Sequence, residues 1–173
     1  MRFLPCCLAL LPLACAKEDT AKKTNAAPPP IDLKLAADPG ETLSVKEAKE
    51  KGSGEEVVVL GRISNVVKGL AIFNLVDASL DYCGGTDPND SCPQPWDYCC
   101  IAAADRAAAT LAVELRGPDG KVLARGLPSL RLLDLVAVKG KLEKDDHGNV
   151  TVVATGWFTR ERPKLRDGLH WPE

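Results

Sequence analysis

The sequence lacks the charge excess and the catalytic motifs that mark two large functional classes. Its 22 lysines and arginines nearly balance 24 aspartates and glutamates, which leaves a net charge of −2. Nucleic-acid-binding domains usually carry a basic patch, so we expect no nucleic-acid partner. The two histidines, His147 and His170, lie in polar segments. No nucleophile elbow, zinc-protease helix motif or phosphate-binding glycine loop is present, so we expect no enzymatic activity.

The sequence also lacks an apolar run long enough to span a bilayer as a helix, which takes about 20 residues. Residues 3–14 form a shorter apolar run that follows the basic Arg2 and leads into small residues. That layout is typical of a secretory signal. We therefore expect export, and in an exported protein a group of cysteines most often forms disulfides.

The signal ends in the sequence LPLAC at residues 11–15, which resembles the lipobox of bacterial lipoproteins. The resemblance implies that residues 1–15 are a signal peptide and that Cys15 carries the lipid. It also implies a place in the cell envelope, outside the cytoplasm, anchored to a membrane that faces the periplasm. The alternative is an ordinary cleaved signal that happens to contain a cysteine.

The rest of the chain divides into three parts by composition. Residues 16–43 are polar and include a run of three prolines, which predicts a flexible tether with an extended step. Residues 44–159 carry the periodic patterns of a folded domain. Residues 160–173 form a charged tail that contains proline.

The domain begins with a helix signal and continues with strand signals. Ser44 and Glu47 form a capping-box pattern, which predicts a short helix with Val45 and Ala48 on its buried side. Five segments then alternate apolar and polar residues, which is typical of half-buried antiparallel strands. These segments begin near residues 55, 70, 111, 136 and 150, and residues 127–134 are expected to form a short helix or turn before the fourth.

Three of these segments resemble sequence signatures of bacterial OB-fold proteins, including small exported lipoproteins. They are VVVLGRI at 57–63, FNLVD at 73–77 and DLVAVKGKL at 134–142. The resemblance implies a mainly β domain, a five-stranded OB-fold-like antiparallel barrel with a short N-terminal helix and a cysteine-rich insertion between strands 2 and 3. Gly61 and Gly140 suit a closed barrel, because strands that coil tightly need positions without a side chain.

The insertion, residues 78–104, is called the cysteine loop below. It holds all four cysteines outside the signal, Cys83, Cys92, Cys99 and Cys100. Export favours two disulfides, for which three connectivities exist. A bond between the adjacent Cys99 and Cys100 would be strained, so we expect each of them to pair with Cys83 or Cys92.

A metal site is the alternative for the same cysteines. Four sulfurs could hold zinc or Cu(I). The gaps of eight, six and no residues differ from the paired hooks of structural zinc sites, and adjacent cysteines point apart in extended chain. Thiol redox chemistry is a third possibility, although the C-x-x-C motif is absent. We thus expect no cofactor, with a metal ion as the open alternative.

Trp96, Asp97 and Tyr98 form the candidate binding surface of the cysteine loop, because rigid aromatic side chains offer contact area at low entropic cost. Trp96 could instead cover one end of the barrel. The sequence favours a non-enzymatic binding or interaction module of the cell envelope, whose partners are the membrane and an envelope protein or small ligand. Metal handling and oligonucleotide binding are the alternatives.

Overall fold

The computed structural model describes residues 33–84, 89, 92–94, 97–127, 129–165, 167 and 171. Cys15, Trp96 and His170 lie outside these residues. In chain order the elements are β1 (Leu43–Ser44), α1 (Val45–Glu50), β2 (Glu56–Val66), β3 (Ile72–Asp77), α2 (Ala103–Ala108), β4 (Thr110–Glu114), β5 (Leu135–Lys144) and β6 (Val150–Glu161). The domain is mainly β, as predicted. Among the described residues, no helix has the length and apolar character needed to cross a membrane.

Helix α1 begins at the predicted capping box. The Glu47 backbone N–H donates to the Ser44 hydroxyl at 3.1 Å, and the Ser44 N–H donates to the Glu47 carboxylate at 2.8 Å. Val45 and Ala48 are buried against the sheet. The predicted helix and its buried face are therefore confirmed.

The strands form one six-stranded mixed sheet in which five strands close into a ring. Around the ring, β2 pairs with β3, β3 with β4, β4 with β6, β6 with β5, and β5 again with β2. The two-residue β1 adds a parallel edge to β2. Four ring pairs are antiparallel, but β4 and β6 run parallel.

The expectation of an all-antiparallel sheet is therefore wrong. Alternation of apolar and polar residues reports that one face of a strand is buried, and it does not report the direction of the neighbouring strand. Residues 115–134 carry the chain from β4 to β5, and β6 then returns beside β4 in the same direction as β4.

The core lies inside the ring and is built from the alternate residues that the sequence pattern placed there. Its largest fully buried side chains include Phe73, Ile63, Leu75, Val136 and Val138. The paired strands approach closely at Gly61, where a Cβ atom would lie 2.8 Å from the carbonyl oxygen of Val76. A residue with a side chain does not fit at this position. This agrees with the expectation that Gly61 lies where the strands coil tightly.

The folded unit extends beyond the predicted domain limits at both ends. The Leu35 N–H donates to the Trp157 carbonyl at 2.7 Å, and the Trp157 N–H donates to the Leu33 carbonyl at 2.9 Å. These bonds attach residues 33–35, which we had placed in the tether, to the last strand. That strand also continues five residues past the predicted end at Gly156.

Candidate metal centre in the cysteine loop

The cysteine loop leaves the sheet after β3 and returns to it through α2, between the second and third ring strands as predicted. The Asp77 N–H donates to the Ala109 carbonyl at 2.8 Å, which closes the loop at its base. The buried Asp77 carboxylate accepts the backbone N–H groups of Ser79 at 3.0 Å and Lys46 at 3.1 Å. Burial alone would raise the pKa of Asp77, but these hydrogen bonds outweigh it and hold the pKa below its usual value.

Tyr98 fixes the loop to the outside of the ring. Its side chain is only 3% exposed and packs in a small apolar cluster with Val76 and Leu133. The Tyr98 hydroxyl is buried without a hydrogen bond to any described residue, and burial raises its pKa well above the ordinary value. We had predicted Tyr98 as part of a candidate binding surface with Trp96 and Asp97, and the structure places its side chain in the packing beneath the loop.

Backbone hydrogen bonds bring the two arms of the loop together. The Cys83 N–H donates to the Asp97 carbonyl at 2.9 Å, so that Cys83 lies beside the segment that leads to Cys99. The Asp97 carboxylate accepts the Tyr98 N–H at 2.7 Å. A tight turn follows, in which the Ile101 N–H donates to the Tyr98 carbonyl at 3.0 Å. This turn contains both adjacent cysteines.

Three sulfur atoms converge where the two arms meet. The Sγ atoms of Cys83, Cys92 and Cys99 all lie within 4.8 Å of one another, and we call these residues the cysteine triad. The Sγ atoms of Cys83 and Cys99 are 3.3 Å apart, and that of Cys100 is 3.9 Å from that of Cys99. Cys83 is buried, Cys92 is half-buried, and Cys99 and Cys100 are exposed. The cluster therefore runs from the interior of the loop to the solvent.

The thiols of this cluster affect one another. The contact with Cys83 lowers the pKa of the Cys99 thiol, but the contact with Cys100, partial desolvation and the neighbouring thiolates together raise it above its ordinary value. Several thiolates at this spacing repel one another, so their ionisation is costly without a cation among them.

The spacing of the triad suits a thiolate-bound metal ion. With a metal–sulfur bond of about 2.3 Å, neighbouring sulfurs lie about 3.8 Å apart in a tetrahedral site and about 4.0 Å apart in a trigonal one. One separation in the triad is 3.3 Å and the other two are at most 4.8 Å, so all three are compatible with sulfurs that share one ion.

The structure corrects one reason for which the sequence disfavoured a metal. We had assumed an extended chain in which the side chains of Cys99 and Cys100 point apart. The turn at residues 98–101 instead leaves their sulfur atoms 3.9 Å from each other. No two sulfurs among the described cysteines lie at bonding distance, so the two disulfides stay a prediction. The Sγ atoms of Cys83 and Cys99, at 3.3 Å, are one pair that a disulfide could join after a small movement.

Helix α2 contributes a residue that the sequence analysis missed. The Arg106 guanidinium donates to the Tyr98 carbonyl at 3.3 Å, just before the two adjacent cysteines. Arg106 also lines a groove of about 470 Å³ together with Asn74 and Asp97. The alanine-rich composition of α2 is the one signal that could have predicted this helix, because alanine has the highest helix propensity.

Comparison of the chain with protein-family models and with curated proteins finds no match.

Proposed function

We propose that this chain is a non-enzymatic binding module of the cell envelope, built on an OB-type barrel, and that its ligand is a soft metal ion held by the cysteine loop. The ring supports the OB assignment through its strand order. The third ring strand, β4, pairs with the last, β6, and the fourth, β5, closes on the first, β2. A five-stranded Greek-key ring of this kind is the framework of the OB fold.

The loop lengths favour binding at the cysteine loop over oligonucleotide binding. OB domains that bind oligonucleotides use the loops between strands 1 and 2 and between strands 4 and 5. The equivalent connections here are residues 67–71 and 145–149, which are tight turns. The longest connection in the ring, residues 78–109 between β3 and β4, is the one that carries the cysteines. A nucleic-acid ligand is further disfavoured by the net charge of −2.

The convergence of three sulfur atoms within 4.8 Å is the observation that carries the metal proposal. Thiolates select soft or borderline ions such as Cu(I) and zinc. Because Cys99 is exposed while Cys83 is buried, an ion could reach the site from solvent and still contact the loop interior. Coordination would also offset the repulsion among neighbouring thiolates.

A loop stapled by disulfides is the second candidate, and the 3.3 Å contact between the sulfurs of Cys83 and Cys99 favours it. In that case the oxidised loop would be a rigid surface for an envelope protein. The two candidates predict opposite states of the same cysteines, so one set of measurements separates them.

Metal titration of the reduced full-length protein tests the proposal. We expect about one Cu(I) or zinc ion to bind each chain, and Cys83→Ser to weaken binding by at least about 100-fold, because it removes a direct ligand. Asp146→Asn changes an exposed residue of the turn between β5 and β6, and we expect it to bind like the wild type. Circular dichroism checks that both variants fold. Equal binding by Cys83→Ser and wild type would contradict the proposal.

The lipid anchor is a separate part of the proposal and rests on the lipobox-like sequence that ends at Cys15. We expect Cys15→Ser to leave the protein unprocessed or to move it from the membrane fraction to the soluble fraction, because the variant lacks the thiol that would carry the lipid. Fractionation and immunoblotting of cells that express the full chain measure this. Normal processing together with unchanged membrane retention would rule out lipidation at Cys15.

A further inference from the structure

Cys100 differs from the triad in position and surroundings. Its Sγ atom lies 3.9 Å from that of Cys99, but it is not a member of the set in which every sulfur lies within 4.8 Å of the others. Cys100 is exposed, as is Cys99, whereas Cys83 is buried and Cys92 is half-buried. The fourth sulfur is therefore beside the triad and not part of it.

Cys100 also faces a space that the triad does not reach. It lines a cavity of about 490 Å³, whose other lining residues include Lys46, Leu80, Ile101 and Asp105. None of the three triad cysteines lines this cavity. An approaching sulfur ligand could thus contact Cys100 without displacing the arms of the cysteine loop.

The number of converging sulfurs distinguishes between zinc and Cu(I) as the bound ion. Structural zinc sites are closed, with four protein ligands in a tetrahedron. Here three sulfurs converge, and the fourth, that of Cys100, lies outside this set. Cu(I) is selected by thiolates, and three sulfur ligands with an open side suffice for it.

We propose, on the basis of the function proposed above, that the triad holds Cu(I) in a three-sulfur site and that Cys100 is the exchange ligand through which the ion enters and leaves. Copper stays Cu(I) throughout. In the release step, Cys100 gives its thiol proton to solvent and forms a sulfur–copper bond. The bond to Cys83 then breaks, and the Cys83 thiolate takes up a proton. The ion, now held by Cys92, Cys99 and Cys100, forms a bond to a soft sulfur ligand of the acceptor at the cavity, while the bonds to these three cysteines break in turn and their thiolates take up protons.

Copper transfer kinetics test this inference. The full-length protein is loaded with one equivalent of Cu(I) and mixed in a stopped-flow instrument with bicinchoninate, a chromogenic Cu(I) chelator. We expect Cys100→Ser to slow transfer by at least about tenfold, which corresponds to the loss of one stabilising bond in the exchange step. We expect its equilibrium affinity for Cu(I) to fall by less than about fivefold, because the three triad bonds remain. Cys83→Ser should lose equilibrium binding.

The outcomes separate this inference from the proposed function. Transfer by Cys100→Ser at the wild-type rate would overturn the exchange role, and so would a loss of affinity as large as that of Cys83→Ser. A wild-type protein that binds zinc but not Cu(I) would overturn the inference and leave the metal proposal standing. Binding of neither ion would overturn both. Cys100→Ala should reproduce the kinetics of Cys100→Ser, and circular dichroism shows that the variants fold.

Discussion

Gly140→Ala is expected to destabilise the domain by about 3 kcal/mol, which is the upper part of the range for overpacking a tight interior. Gly140 lies at a register shift between β5 and β6. A Cβ atom there would overlap the carbonyl oxygen of Val153 and lie 2.9 Å from the Cα atom of Ala154. Both obstacles are backbone atoms of a paired strand, so they cannot turn aside as a flexible side chain would. The ring must open locally to admit one methyl group.

Chemical denaturation of the purified protein measures this effect, with Gly126→Ala as the matched control. A Cβ atom at Gly126 meets nothing within 4 Å, and its backbone conformation is open to other residues. We expect that control to change the free energy of unfolding by less than about 0.5 kcal/mol. Similar stability of the two variants would show that β5 and β6 are not packed as described.

Arg162→Ala is expected to cost about 3 kcal/mol of stability, the lower end of the range for breaking a buried pair, because it leaves a buried carboxylate without its cation while Arg162 itself is 40% exposed. The Asp134 side chain is fully buried and accepts two hydrogen bonds from Arg162, Nε to Oδ1 at 2.8 Å and Nη2 to Oδ2 at 2.6 Å. The Arg131 backbone N–H donates a third at 3.0 Å. Without Arg162, the Arg131 N–H would be the one donor among the described residues left to offset the desolvation of Asp134.

Two further variants show whether the effect of Arg162→Ala comes from its contact with Asp134. Arg160→Ala removes the neighbouring arginine of the same segment, whose partner Asp38 is more exposed, and we expect it to cost about 1 kcal/mol or less. Asp134→Asn combined with Arg162→Ala removes the buried charge as well, and this double variant should be more stable than Arg162→Ala alone. A loss for Arg162→Ala no larger than that for Arg160→Ala would contradict the buried pair.

Local patterns in the sequence were sufficient to predict much of the fold. The capping box at Ser44 located α1, and alternation located all five ring strands, because both signals arise from residues close together in the chain. Helix α2 was missed, since it buries none of its residues and has no side-chain cap to mark its start. The parallel pairing of β4 with β6 was missed because it depends on how residues 115–134 carry the chain between strands.

The sequence was sufficient to predict which residues form the candidate site, but not how these residues are arranged in space. The sequence identified Cys83, Cys92, Cys99 and Cys100 as the unusual group. In the structure their sulfur atoms lie close together. Their spacing along the chain was misleading, because a backbone hydrogen bond between Cys83 and Asp97 and the turn after Tyr98 set the distances between the sulfurs. The burial of Tyr98 could not be predicted either, because the residues that it packs against, Val76 and Leu133, are distant in sequence.

Whether the sulfurs of the cysteine loop hold a metal ion is decided by the metal content and the thiol count of the native protein. The protein is isolated from cells that express the full chain, without oxygen, reductant or chelator, and is then analysed by elemental mass spectrometry and thiol labelling. The proposed function predicts about one copper or zinc ion per chain and cysteines 83, 92, 99 and 100 in the thiol state, with the triad protected from labelling until a chelator is added. Protein free of metal, with these four cysteines joined in two disulfides, would contradict it.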